Sequence, residues 1–102
     1  MESFAALADP TRRQIIELLG PGPLPAGAIA AHFELSAPAV SQHLKVLRQA
    51  GLVSQRVDAQ RRIYALNQAG FGEMEAWLGR VRQFWGPRLD ALQAELEKDQ
   101  NR

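Results

Sequence analysis

Ser41, Gln42 and Lys45 are the residues of this chain whose types and spacing offer the clearest chemistry. On a helix they fall on one face, together with Pro38 and Gln49. A Gln side chain can pair bidentately with adenine. A Ser hydroxyl serves either base type, and a Lys reaches guanine or a phosphate. The face carries no carboxylate, and the small residues Ser36 and Ala37 near its start would let a backbone approach closely. This is the chemistry of hydrogen bonding to base edges in a DNA major groove, not of bond making. An ordinary solvated helix face draws on the same residue types, so the rest of the chain must decide.

The element that positions these side chains spans residues 36–51, SAPAVSQHLKVLRQAG. Ser36 can cap free N–H groups at a helix start, and Pro38 is harmless in a first turn. Gly51 is a suitable left-handed stop. Val40, Leu44 and Leu47 recur at spacings of four and three, so they form the opposite, core-facing stripe. His43 falls between the two faces, where a buried hydrogen bond and a DNA contact are equally open. Upstream, PAGAIAAHF begins a short helix at Pro25, with Ile29, Ala30 and Phe33 facing inward. The brief link Glu34, Leu35, Ser36 then makes a helix-turn-helix.

After Gly51 the period changes from 3.6 to 2. Residues 52–57 and 61–66 alternate loosely around the turn Asp58, Ala59, Gln60, which predicts a hairpin. Arg56, Gln60, Arg61 and Arg62 cluster towards its tip, where they could reach phosphates or a minor groove. Arginines can also merely solubilise an edge strand, but their position beside the candidate recognition helix favours DNA contact by at least one of them. Net charge over the whole chain is only +1. Residues 36–62, however, hold five cations against Asp58 alone, a local +4. Such a patch is the electrostatic footprint of a nucleic-acid binder.

Phe4 and Leu7 predict a short N-terminal helix, and Asp9-Pro10 restarts the chain into a helix carrying Ile15, Ile16, Leu18 and Leu19. Arg12 and Arg13 sit in its first turn, the wrong end of the dipole for a cation, so an ion pair with Glu17 or a phosphate contact is expected. Leu24 is expected in the core. From Phe71 to Lys98 an apolar stripe runs through Met74, Trp77, Leu78, Val81, Phe84, Trp85, Leu89, Leu92 and Leu96. So long a stripe with so little chain left to cover it calls for a partner helix, most simply a second copy. Gly86-Pro87 predicts a kink or break within it.

The 102 residues suit one small domain. There are no cysteines, which removes disulfides, thiolate metal sites and thiol redox chemistry. His32 and His43 are the only histidines; with Glu34 they make at best a thin metal site, and no cofactor is implied. No catalytic constellation is present, so no enzyme is expected. No apolar run approaches a membrane span, and the opening residues MESFAALADP do not resemble a signal peptide, so a cytoplasmic location is expected.

The stretches FAALADPTRRQIIELL, LSAPAVSQHLKVLRQAGLV and the hairpin ending RRIYAL resemble the ArsR/SmtB family of bacterial winged-helix repressors over roughly residues 3–66. The resemblance implies a mainly α fold with a small β-hairpin (α+β), a single winged helix-turn-helix domain over 1–102. The helix-turn-helix would span about 25–50, the wing about 52–66 and a dimerisation helix about 70–98. It implies a homodimer that binds an inverted repeat in double-stranded promoter DNA. DNA contacts would come from Ser36, Ala37, Ser41, Gln42, His43, Lys45, Arg56, Gln60, Arg61 and Arg62. Phe4, Leu7, Met74, Trp77, Leu78, Val81, Phe84, Trp85 and Leu89 would form the dimer interface. Many family members sense metals through cysteines or C-terminal histidines, and this chain has neither. It also departs from the pattern at Pro25 and at Gly86-Pro87. The inducer, if any, is not indicated. The alternatives are a winged-helix module that binds protein, or a repressor answering to a metal or to a small molecule near Trp77, Phe84 and Trp85.

Overall fold

A computed structural model describes residues 2–100. Its elements run α1 (Glu2–Ala6), α2 (Pro10–Leu19), β1 (Leu24–Pro25), α3 (Ala26–Ala30), α4 (Ala37–Gln49), β2 (Val53–Asp58), β3 (Arg61–Leu66) and α5 (Gln68–Gln100). Residues as far as Gly72 form one compact unit, and those from Glu73 onward form a second.

The first unit is built on a continuous apolar core. Ile15 and Leu19 of α2, Ile29 of α3, and Val40, Leu44 and Leu47 of α4 are buried with Leu52, Val53, Ile63 and Tyr64. The caps that set the helix limits are present. The Asp9 carboxylate accepts from the Arg12 N–H at 3.1 Å, and Pro10 opens α2. Ser36 Oγ accepts from the Ala39 N–H at 3.2 Å, opening α4. Gly51 has φ 79°, the left-handed stop after α4.

The sheet is larger than the predicted hairpin. Its order is β1-β3-β2, all antiparallel. β1 pairs Leu24 with Tyr64 and Pro25 with Ile63. Leu24 is therefore half-buried in an edge strand, and Pro25 both ends that strand and stands as the extended residue that opens α3. An edge position tolerates a proline, which has no N–H to give. α3 is correspondingly shorter than predicted, with residues 31–36 forming turns before α4. In the hairpin, Val53 stands opposite Leu66 and Asp58 opposite Arg61. Its turn holds Ala59 at φ 56°, a left-handed conformation that disfavours any Cβ.

In α1 the buried residues are Ser3 and Ala6; Phe4, and Leu7 just beyond the helix, are half-buried. Two further expectations are corrected. Arg12 and Arg13 do not pair with Glu17 among the described residues; they donate to backbone carbonyls at the end of α1. That end of a helix is its negative pole, which suits a guanidinium. Finally, of the kink or break expected at Gly86-Pro87, the break does not occur: α5 is helical through both residues. Pro87 forfeits one helical hydrogen bond. Gly86 has no Cβ to collide with the proline ring, which relieves part of the clash that a proline imposes on the residue before it.

Gly70 lies in the first turn of α5, still within the first unit. A Cβ built there would lie 2.1 Å from the Gly51 carbonyl oxygen, so only glycine permits this close approach.

Candidate nucleic-acid interface

α4 presents its apolar stripe to the core and leaves the opposite face in solvent. Ser36, Ala37, Ser41, Gln42, Lys45, Arg48 and Gln49 are all exposed. Ser41, Gln42, Lys45 and Arg48 line one concavity together with Arg62 and Tyr64 of β3. Three of those six side chains are cationic and none is acidic. A helix face edged by a basic strand is the arrangement that engages a groove and its phosphates together.

Strand alternation sorts the wing residues. Arg62 stands opposite Val57 and Tyr64 opposite Gln55, which puts Arg62 and Tyr64 on one face of the hairpin. Arg56 stands opposite Ile63, and Arg61 opposite Asp58, on the other face. Arg62 therefore borders the α4 groove, whereas Arg56 does not line it. Gln60, Arg61 and Arg62 line a second concavity with Pro25, Ala26 and Gly27. Arg61 lies 3.7 Å from the Asp58 carboxylate in an exposed pair, the kind that contributes little to stability.

Sequence reasoning does not single out Arg48 or Tyr64. Arg48 follows Lys45 by three and Ser41 by seven, so helical spacing carries a signal for it. Tyr64 can be found only from the hairpin register and the fold of β3 against α4.

His43 points away from the groove. Its Nδ1 lies 3.4 Å from Arg12 Nη1 and 3.9 Å from the Asp9 carboxylate, in a half-buried site. The Asp9 carboxyl is held below its ordinary range. The backbone N–H of Arg12 is the main cause, with His43, the Thr11 N–H and the Arg12 charge assisting against partial desolvation. His32 is exposed, its Nδ1 donating to the Ala28 carbonyl at 3.0 Å. No group of three His, Cys, Asp or Glu side chains that could hold a metal occurs among the described residues.

The apolar residues of α5 are largely in solvent. Trp77, Leu78, Phe84, Trp85 and Leu89 are exposed, and Met74 and Val81 are half-buried. Phe84 and Trp85 meet edge to face at 4.9 Å, with the Arg88 guanidinium 4.6 Å from the Phe84 ring centre. No described helix is long and apolar enough to cross a membrane.

A tight helical pair whose second helix is flanked by a three-stranded sheet, with an arginine-bearing hairpin beside it, defines a winged helix-turn-helix protein. Residues 9–55 match the family described as bacterial regulatory protein, arsR family. The chain is 47% identical over 83 residues to the HTH-type transcriptional regulator Rv2034 of Mycobacterium tuberculosis, covering 81% of this chain and 75% of that protein. It is 41% identical over 75 residues to the transcriptional repressor SdpR of Bacillus subtilis, covering 74% and 83% respectively. Among solved structures it resembles the homodimeric winged helix-turn-helix DNA-binding domain of Mb0332 from Mycobacterium bovis. That match has TM-score 0.65 and 28% identity over 80% of this chain and 76% of the other. The protein belongs to the arsR family of bacterial transcriptional regulators.

Proposed function

We propose that this protein is a homodimeric repressor that binds an inverted repeat in promoter DNA. The observation that carries the proposal is the carboxylate-free concavity where Ser41, Gln42, Lys45 and Arg48 of α4 meet Arg62 and Tyr64 of β3. Two copies of α4 would enter successive major grooves, about 34 Å apart on one face of the duplex. Gln42 and Ser41 read base edges. Lys45, Arg48 and Arg62 neutralise phosphates, while Ser36 and Ala37 let the helix start approach the backbone. Gln60, Arg61 and Arg56 extend the interface along the wing. His43 supports the helix from behind.

The dimer buries the exposed α5 residues Trp77, Leu78, Phe84, Trp85 and Leu89 with Met74 and Val81, and also Phe4 of α1 and Leu7 just after it. Repression follows from covering the promoter, in the bacterial cytoplasm, by binding alone. The resemblance to a named repressor and to a homodimeric DNA-binding domain supports this assignment.

A gel-shift titration against DNA upstream of the protein's own coding sequence, at two salt concentrations, tests it. Tight binding that weakens steeply with salt is expected. Replacing Arg61 and Arg62 together by Ala should lower the slope of log affinity against log salt by about 0.9 for each phosphate that the pair neutralises. An unchanged slope would remove the wing from the phosphate backbone.

A further inference from the structure

Arg12 occupies the first turn of α2, where the helix dipole disfavours a cation. What its guanidinium holds explains the placement. Nε donates to the Ala6 carbonyl, Nη2 reaches the Ala5 carbonyl at 3.5 Å, and Nη1 approaches His43 Nδ1 at 3.4 Å. The two carbonyls belong to the last turn of α1. His43 belongs to α4, adjacent in sequence to Gln42, with its ring turned towards α2. A planar guanidinium can serve these divergent acceptors together, whereas a lysine ammonium presents a single point.

The surrounding bonds isolate this role. Arg13 donates to the Leu7 and Ala8 carbonyls at 2.9 and 3.1 Å, securing the same end of α1 without reaching α4. Ser3 Oγ donates to the Ala50 carbonyl at 3.4 Å, tying α1 to the far end of α4. Asp9, also beside His43, is occupied by the Arg12 N–H. Arg12 is thus the side chain through which α1, α2 and the middle of α4 are joined. A five-residue helix such as α1 cannot persist on its own propensity, so these bonds also hold α1 in place.

We propose that Arg12 is a positioning residue for base reading: its fork fixes His43, and with it the middle of α4, against α1. The proposal rests on the DNA-binding function proposed above. It makes bidentate base pairing by Gln42 depend on a side chain that never touches DNA.

The test uses Arg12→Met, His43→Leu, the double variant, and His43→Asn, which keeps an acceptor near the Nδ1 position. Duplexes selected from a random pool by the wild-type protein are compared with scrambled duplexes at two salt concentrations. Arg12→Met and His43→Leu should each weaken binding to selected duplexes about tenfold, leaving scrambled-duplex affinity and the salt slope unchanged. The double variant should be no weaker than Arg12→Met alone, because the two act as one unit. His43→Asn should stay within about twofold of wild type. A slope lowered by about 0.9 in Arg12→Met, with both duplexes weakened, would place Arg12 on a phosphate and overturn the proposal. So would additive losses in the double variant.

A second readout needs no DNA. Amide hydrogen exchange should quicken in α1 and in the middle of α4 in free Arg12→Met, and unchanged exchange there would overturn the tether. A wild-type protein that selects no sequence would refute the proposed function instead, and the exchange result would still decide the tether. Should Arg12→Met fail to fold, Arg12→Lys, which keeps the charge without the fork, should show the same loss on selected duplexes and the same quickened exchange, and wild-type behaviour in both would overturn the proposal.

Discussion

α4 and α5 both carry large apolar side chains, yet only α4 buries its own within the chain. Val40, Leu44 and Leu47 of α4 are almost wholly buried. Along α5, Gly70 is the one buried residue, and large apolar side chains from Trp77 to Leu96 stay in solvent. The polar faces differ as well. That of α4 is small, cationic and free of carboxylates, whereas α5 interleaves Glu73, Glu75, Asp90, Glu95 and Glu97 with its arginines. One helix is finished by its own chain, and we propose that its outer face serves DNA. The other keeps its apolar face for a partner, which we propose to be a second copy.

Substitutions can break this contrast at either end. Leu47→Ala removes a fully buried side chain and should cost about 2–5 kcal/mol of unfolding free energy, seen in urea denaturation at fixed protein concentration. A cost under about 1 kcal/mol would mean that α4 is not a core element. Phe84→Glu, at a side chain 58% exposed, should leave the secondary structure intact. It should raise the dimer dissociation constant at least about a hundredfold, roughly 3 kcal/mol. Sedimentation equilibrium reads this directly, and an unchanged mass would take Phe84 out of any interface.

Gly70→Ala probes the first turn of α5, within the first unit. A Cβ there overlaps the Gly51 carbonyl, so a loss of about 1–3 kcal/mol is expected. Thermal unfolding at wild-type values would deny the close approach. The smallest effect is at Asp9. Its folded-state pKa is lowered, so its contribution to stability is complete above the ordinary aspartate value of about 3.9 and is lost as pH falls through the folded value. Wild type should therefore lose more stability than Asp9→Ala below about pH 4. Parallel acid titrations of the two would contradict that role for the cap.

Much of this architecture is legible in residue spacing. Ser36, Pro38, the Val40–Leu44–Leu47 stripe and Gly51 bracket α4, and the change of period after Gly51 marks the hairpin. β1 is not legible, because two residues show no periodicity and Pro25 reads locally as a helix start. Its strand character comes from pairing with Tyr64 and Ile63, nearly forty residues later. The carbonyls held by Arg12 and Arg13 are hidden for a similar reason. Sequence patterns expose side-chain charge partners such as Glu17, but not backbone acceptors at the end of a neighbouring helix. The groove shared by α4 and Arg62 depends on hairpin register, which composition does not encode. α5 continues through Gly86-Pro87 against the local rule that a proline ends a helix.

The most direct test of base reading by α4 is the base-preference profile of Gln42→Ala, obtained by selection from a random duplex pool beside wild type. Loss of preference at one position in each half-site, with the rest of the profile and the salt slope retained, is the expected result. A profile identical to wild type would contradict the placement of the exposed face of α4 in the major groove.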